Sequence, residues 1–254
     1  SVTMNSPITQ TASWEHEYRL TIATNFGTTS PPTGEHWYEA GTPVNFQSFA
    51  PPTIPGERYV WNGWTGHGDG SYSGISNAAF ITMNGPIIET ASWTRQFYLT
   101  VNSPYANADG QGWYNAETSA YATLTTSTVF GDSGIRYVFI QWSDDAFGTD
   151  LTSNPIIMDR PKRAVAHWKT QYYLTLATNP SGITNPTGEG WYDADTDASI
   201  STVQHIEIAG SSRYWFDGWT TSDLNKIHDY SATSTTVRMD KASTVVANYI
   251  TQFK

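Results

Sequence analysis

Cysteine is absent from the 254 residues, so disulfides, thiolate metal ligands and a cysteine nucleophile are all excluded. Charge is scarce as well. Asp, Glu, Lys and Arg make up 14% of the chain, against about 25% in ordinary globular domains. The basic sign is the scarcer, with 13 Lys and Arg against 23 Asp and Glu and a net charge of −10. This argues against nucleic acid and anionic membranes, which both need a clustered basic face. No apolar run approaches the roughly 18 residues of a membrane-spanning helix. No stretch holds a capped 3.6-residue period, so almost no helix is expected. No secretory leader is visible, and a chain that starts at Ser1 reads as a mature or excised segment. Acceptor sites for Asn-linked sugar are missing, because Asn179-Pro180-Ser181 and Asn185-Pro186-Thr187 both carry Pro in the middle.

Hydroxyls and aromatic rings are abundant instead. Ser and Thr total 60, and there are 11 Trp and 15 Tyr. The rings fall into a repeat. Trp-Tyr pairs stand at Trp37-Tyr38, Trp113-Tyr114 and Trp191-Tyr192, 76 and 78 residues apart. Arg-Tyr pairs begin at Arg58, Arg136 and Arg213, each followed six residues later by Trp64, Trp142 or Trp219. Met4, Met83, Met158 and Met239 are each followed ten residues later by Trp14, Trp93, Trp168 or Tyr249. Internal periods of this kind mark repeat architecture. Residues 1–14 match the closing strand of a preceding or neighbouring unit. Units follow at 15–93, 94–168 and 169–254, the last including the start of a further strand.

Strict alternation defines the boundary segments. Ala12, Trp14, His16, Tyr18, Leu20 and Ile22 share one face. Ala91, Trp93, Arg95, Phe97, Leu99 and Val101 repeat the pattern, as do Ala166, Trp168, Thr170, Tyr172, Leu174 and Leu176. A period of two means a strand with one buried side. These strands cross the unit boundaries with no Gly, Pro or linker. The fold expected is all-β: three small antiparallel sandwich- or barrel-like domains in a rod, joined by continuous strands. The turns Met83–Pro86 and Met158–Pro161 suggest hairpins.

Most Trp positions recur in every unit and read as core. In each Trp-Tyr pair one ring must leave the local core, where it covers a junction between units. Trp215 alone is off the pattern, aligned with Val60 and Val138, and is the candidate for contact with a ligand. The recurrent Arg residues read as partners of aromatic rings rather than as anion sites. Asp144, Asp145 and Asp150, with Asp69, Asp223 and Asp229, sit on variable acidic loops. They are candidate calcium ligands but lack the alternating spacing of a calcium loop. The six His do not recur at equivalent places, and no hydrolase, metalloprotease or phosphate-loop motif is present. No catalytic residue, no cofactor and no enzyme activity is expected.

The unit order resembles a known family. Tyr18-Arg19-Leu20-Thr21-Ile22 opens the first unit, with Tyr98–Val101 and Tyr173–Leu176 in the same role. Gly190–Thr196 carries the Trp-Tyr-x-Ala-x-Thr segment. Arg-Tyr-x-aromatic-x-x-Trp, a variable loop, a Met-Asp turn and Ala-x-Trp or Tyr complete the unit. This is similar to the divergent internalin-B-type repeats of bacterial and archaeal cell-surface proteins. The resemblance implies an exported stalk, adhesin or filament protein, no shared catalytic residues, and a helix in a grasp-like fold. The expected function is an extracellular structural protein: a cell-surface stalk, surface-layer or filament subunit. The alternative is a glycan-binding adhesion module. Expected partners are further repeats, or copies joined head to tail by docking of the N-terminal strand (Val2, Met4, Ile8, Ala12, Trp14), with surface glycans as a further possibility.

Overall fold

A computed structural model describes residues 7–208, 210, 212–222 and 224–253. Their secondary structure is strand, apart from one 3-10 turn at Leu224–Lys226. The chain divides into two compact units. One comprises Ser1–Leu99, Gly112–Thr118 and Ile157–Lys162; the other comprises Thr100–Gln111, Ser119–Ile156 and Arg163–Lys254.

The first unit contains β1 (Glu17–Thr24), β2 (Thr28–Ser30), β3 (Gly34–Glu39), β4 (Pro43–Phe49), β5 (Glu57–His67), β6 (Ala78–Thr82) and most of β7 (Ile87–Asn102). The strands β3–β1–β7–β5 form one layer and β2–β4–β6 a second. Leu20 and Ile22 of β1, Val44 and Phe46 of β4, Ile81 of β6 and Ile87 of β7 meet between the layers in one buried cluster. Among the described residues there is no α-helix, so the helix that the family resemblance implied is not found; in this unit a second layer of strands packs on the first.

The other unit repeats this plan at its C-terminal end. Lys162–Asn179 lies between Gly190–Asp193 and Ser243–Phe253; Ser212–Thr220 and His205–Ile208 follow outward. Thr196–Ser201 and Ser234–Met239 form the second layer. Leu174, Ile200, Trp219, Val237 and Met239 belong to the core between them.

Two details of topology correct the expectation. The main sheets are mixed, not antiparallel: β1 pairs parallel with β7 from Leu20↔Ile87 to Thr24↔Ala91, and Leu174–Asn179 pairs parallel with Ser243–Asn248. The two long strands bounding a repeat enter and leave it in the same sense, so side by side they pair parallel, with the whole repeat as the crossover. The Met83–Pro86 turn also closes no hairpin. β6 pairs with β4, and Met83 exchanges backbone bonds with Gly41 and Thr42, so the turn carries the chain from the second layer to the first.

The boundary strands are continuous, 16 residues in β7 and 18 in Lys162–Asn179. Of the alternating face read from sequence, Ala91, Trp93, Phe97 and Leu99 are buried and Arg95 and Val101 are half-buried; Ile87 and Glu89 extend the buried face toward the start of β7. The first boundary differs: residues 7–16 carry no strand, β1 starts at Glu17, and Trp14 is 92% exposed. Trp93 and Trp168 face Trp61 and Phe139 on a neighbouring strand, whereas among the described residues no strand pairs with 7–16. Val2 and Met4 lie outside the described residues.

A bulge explains the spacing of the aromatic motif. Trp61 pairs with Trp93, but Gly63 pairs with Ser92 and Trp64 with Ala91, so Asn62 is the extra residue. The shift recurs between Phe139 and Gln141 and between Phe216 and Gly218. Residues three apart on a regular strand face opposite sides; the added residue restores them to one side. Trp61–Trp64, Phe139–Trp142 and Phe216–Trp219 accordingly meet edge to face at 5.9, 5.6 and 5.5 Å. Each second Trp is buried, and its indole N–H donates to a carbonyl of the variable loop that follows: Asn77 at 2.9 Å, Asp150 at 3.1 Å and Ala232 at 2.9 Å. Trp219→Ala is expected to cost about 3–5 kcal/mol, and Trp219→Phe, which loses only the donor and part of the ring system, about 1–2 kcal/mol; urea unfolding measures both.

Candidate functional site

The residues that recur most strictly build a junction between successive repeats. In the first unit β7 lies between β5 and Gly112–Asn115, so that Arg58, Gln96 and Asn115 form one row across three strands. Arg58 Nε donates to Gln96 Oε1 at 2.7 Å, and Gln96 Nε2 donates to Asn115 Oδ1 at 2.8 Å. The Arg58 guanidinium lies 4.4 Å from the centre of the Trp113 ring, whose edge meets Tyr98 at 5.2 Å. Gly56, at φ +81°, passes under Pro161 so closely that an added Cβ would stand 2.9 Å from the Pro161 Cβ.

The other unit contains the same construction. Arg136 Nε donates to Gln171 Oε1 at 2.7 Å, and Gln171 Nε2 to Asp193 Oδ1 at 2.6 Å. Arg136 lies 4.6 Å from the Trp191 ring, and Trp191 meets Tyr173 at 5.2 Å. Gly134, at φ +76°, lies under Ala242. The guanidinium is held by ring and amide, as the sequence suggested, so these Arg residues are joints. Hydrogen bonds from Gln171 and Lys169, with the Lys169 and Arg136 charges, hold the Asp193 carboxyl below its usual range against the opposing effect of burial. Beside this joint runs an open groove of about 420 Å³ that includes Ser133, Tyr173, Thr175, Trp191 and Thr244.

The third Arg is bound differently. Arg213 donates to Gln252 at 3.2 Å and stacks on Trp215 of its own strand at 4.5 Å. His205, paired across the strand from Trp215, stacks in parallel at 6.1 Å. Trp215 thus takes the place that Trp113 and Trp191 hold at the other joints. At the first repeat, Trp37 is 59% exposed, and Glu17 and Glu39 occupy the row positions of Gln96 with Asn115 and of Gln171 with Asp193. A hydrogen bond that the protonated Glu39 carboxyl donates to Glu15, then the Glu15 charge, burial and the Glu17 charge, raise the Glu39 carboxyl above its usual range.

The acidic candidates do not converge. Asp144, at φ +65°, reaches Arg163 at 3.4 Å; Asp145 accepts the Arg163 N–H at 2.9 Å; Asp150 contributes its carbonyl to Trp142. Asp223 lies outside the described residues. Among the described residues, no group of three or more His, Asp or Glu is placed to hold a metal ion. Ser143 Oγ and His167 Nε2 lie 2.6 Å apart on exposed strand positions, a surface pair with no carboxylate bonded to the other ring nitrogen among the described residues.

Glu89 escaped the sequence reading. It is fully buried on the inner face of β7, where Oε1 accepts the Tyr72 N–H at 2.7 Å and Oε2 has no partner. Burial pushes its pKa up to about 7, against a smaller opposing pull from the Tyr72 N–H. The repeat held the signal, because Ala164 and Val245 occupy this inward place in the other repeats. Enclosed as it is, the carboxyl has no access to a substrate.

Residues 103–171 match the family model described as a divergent InlB B-repeat domain. No curated protein matches the chain, and no solved structure does. The matched B-repeat runs from just after β7 to the third boundary strand and contains Trp113, Arg136, Trp142 and Trp168. The B-repeat family is a repeat domain of surface proteins and not an enzyme family. It points to a surface-associated repeat protein.

Glu89 supplies a pH test. Folded, it keeps its proton to higher pH than in the unfolded chain, so the folded state binds more protons between about pH 4.5 and 7. Stability should therefore fall as pH rises through that window, by roughly 3 kcal/mol at most. Glu89→Val, the third repeat's residue, should remove the fall and raise stability at pH 8, as measured by urea unfolding at both ends of the window.

Proposed function

We propose that this chain is an extracellular structural protein, a segment of a cell-surface stalk, surface layer or filament. The observation that carries the reading is the joint itself. Arg, Gln, Trp, Tyr and Gly are used twice in the same roles, with ring distances of 4.4 and 4.6 Å. A chain that keeps its joints while its loops differ is organised around the connection of one repeat to the next. Strands running unbroken through the boundaries serve the same end, and the B-repeat match supports a surface setting.

The half-joints Arg213–Gln252 and Trp37 with Glu17 and Glu39 are the places where further repeats of the same kind would be added, from this chain or head to tail from another copy. Immunogold labelling of intact cells with antibody to this chain tests the reading. Label at the outer surface without permeabilisation is expected. Label that appears only after the envelope is opened would overturn it.

A further inference from the structure

We propose that the outward face of the β2–β4–β6 sheet is a binding site for a neutral saccharide. Along β4, Val44, Phe46 and Ser48 point into the core, while Asn45, Gln47 and Phe49 point out. Phe80 of β6 lies beside Asn45, Ala78 beside Gln47, and Ser30 of β2 on the other side of Gln47. Together they border an open groove of about 480 Å³. Phe80 is 69% exposed and Phe49 45%.

The fold does not require these rings. With Met83 set on Met239, the third repeat builds the same second layer with Thr236 in the place of Phe80, Val203 for Phe49, and Ser199 and Ser201 for Asn45 and Gln47. Single exposed apolar residues are ordinary on protein surfaces. Here two rings bracket a floor of amides, a hydroxyl and a small Ala78 on one face of one small sheet. The side-chain amides of Asn45 and Gln47 make no hydrogen bond among the described residues.

Rings at the ends, with unengaged amides between them, match the chemistry of a sugar. The apolar face of a pyranose stacks on an aromatic ring, and its hydroxyls both donate to and accept from a carboxamide. Phe49 stands four positions after Asn45, the partner of Phe80, so the two rings are roughly 14 Å apart along the strand direction. That is the reach of an oligosaccharide and not of a monosaccharide. No charged side chain borders the groove, and the chain carries a net charge of −10, so a neutral glycan fits and an acidic one does not. The site adds to the structural role and does not depend on it.

The test uses the third repeat as donor of residues that the same sheet already tolerates. The full chain is applied to an array of neutral glycans, with heparin as the acidic control, and dissociation constants for the glycans bound are measured by affinity electrophoresis. Phe80→Thr and the pair Asn45→Ser with Gln47→Ser should each weaken binding about tenfold or more, with the unfolding midpoint unchanged. Phe253→Ala, an exposed ring elsewhere, should leave binding as it was. Absence of binding to every neutral glycan, or affinity unaltered by Phe80→Thr, would overturn the proposal. So would a concentration-dependent mass abolished by Phe80→Thr, which would make the face a protein interface. None of these results bears on where the chain resides, so failure here stays separable from failure of the surface reading.

Discussion

The bulge opposite each closing strand is the constraint on which the rest of the structure depends. It turns a three-residue spacing into two aromatic rings on one side of a strand. The second ring then fills the core and donates its N–H to the following loop. Loops of different length and composition are thereby held at one point. The closing strand that receives the bulge carries its own large ring, Trp93, Trp168 or Tyr249. Trp93 bonds Ser48 of the second layer at 3.0 Å, and Tyr249 engages Thr202 and Val203 in the same manner.

Strand continuity follows from the same arrangement. β7 and Lys162–Asn179 are each paired with the bulged strand before the boundary and with the next Trp-Tyr segment after it. At the boundary both neighbours lie against the same few residues, and there the Arg reaches across to the Trp. Positions outside this framework are free to differ. Glu89, Phe80 and Trp215 each depart from their counterparts in the other repeats, and each departure alters a local property: a titrating core group, an aromatic outer face, and an Arg satisfied within its own strand.

Much of this was legible in the chain. The alternation from Ala91 to Val101 marked the inward face of β7, on which Ala91, Trp93, Phe97 and Leu99 are buried, because a strand with one wet face sends alternate residues to each side. The Trp-Tyr pair implied a junction, since neighbours on a strand point apart. Parallel pairing was not legible: the hydrophobic period is the same for either direction, and the Met83–Pro86 turn has the composition of a hairpin. The strand expected from Ala12 was overextended, because alternation marks which face a strand would bury and not whether a partner lies beside it. The Phe49 and Phe80 face was not legible, because alternation along one strand does not say which residues of separate strands share a groove; Glu89 was not, because it stands where the other repeats carry the apolar Ala164 and Val245.

The bulge account is tested most directly by hydrogen exchange of the indole N–H groups, resolved by nitrogen-15 labelling of Trp. Trp64, Trp142 and Trp219 should be among the slowest of the 11 indoles, in all three repeats alike, and Trp14 and Trp37 should exchange fast. Exchange of the three bulge-placed indoles at the rate of Trp14 would contradict the account.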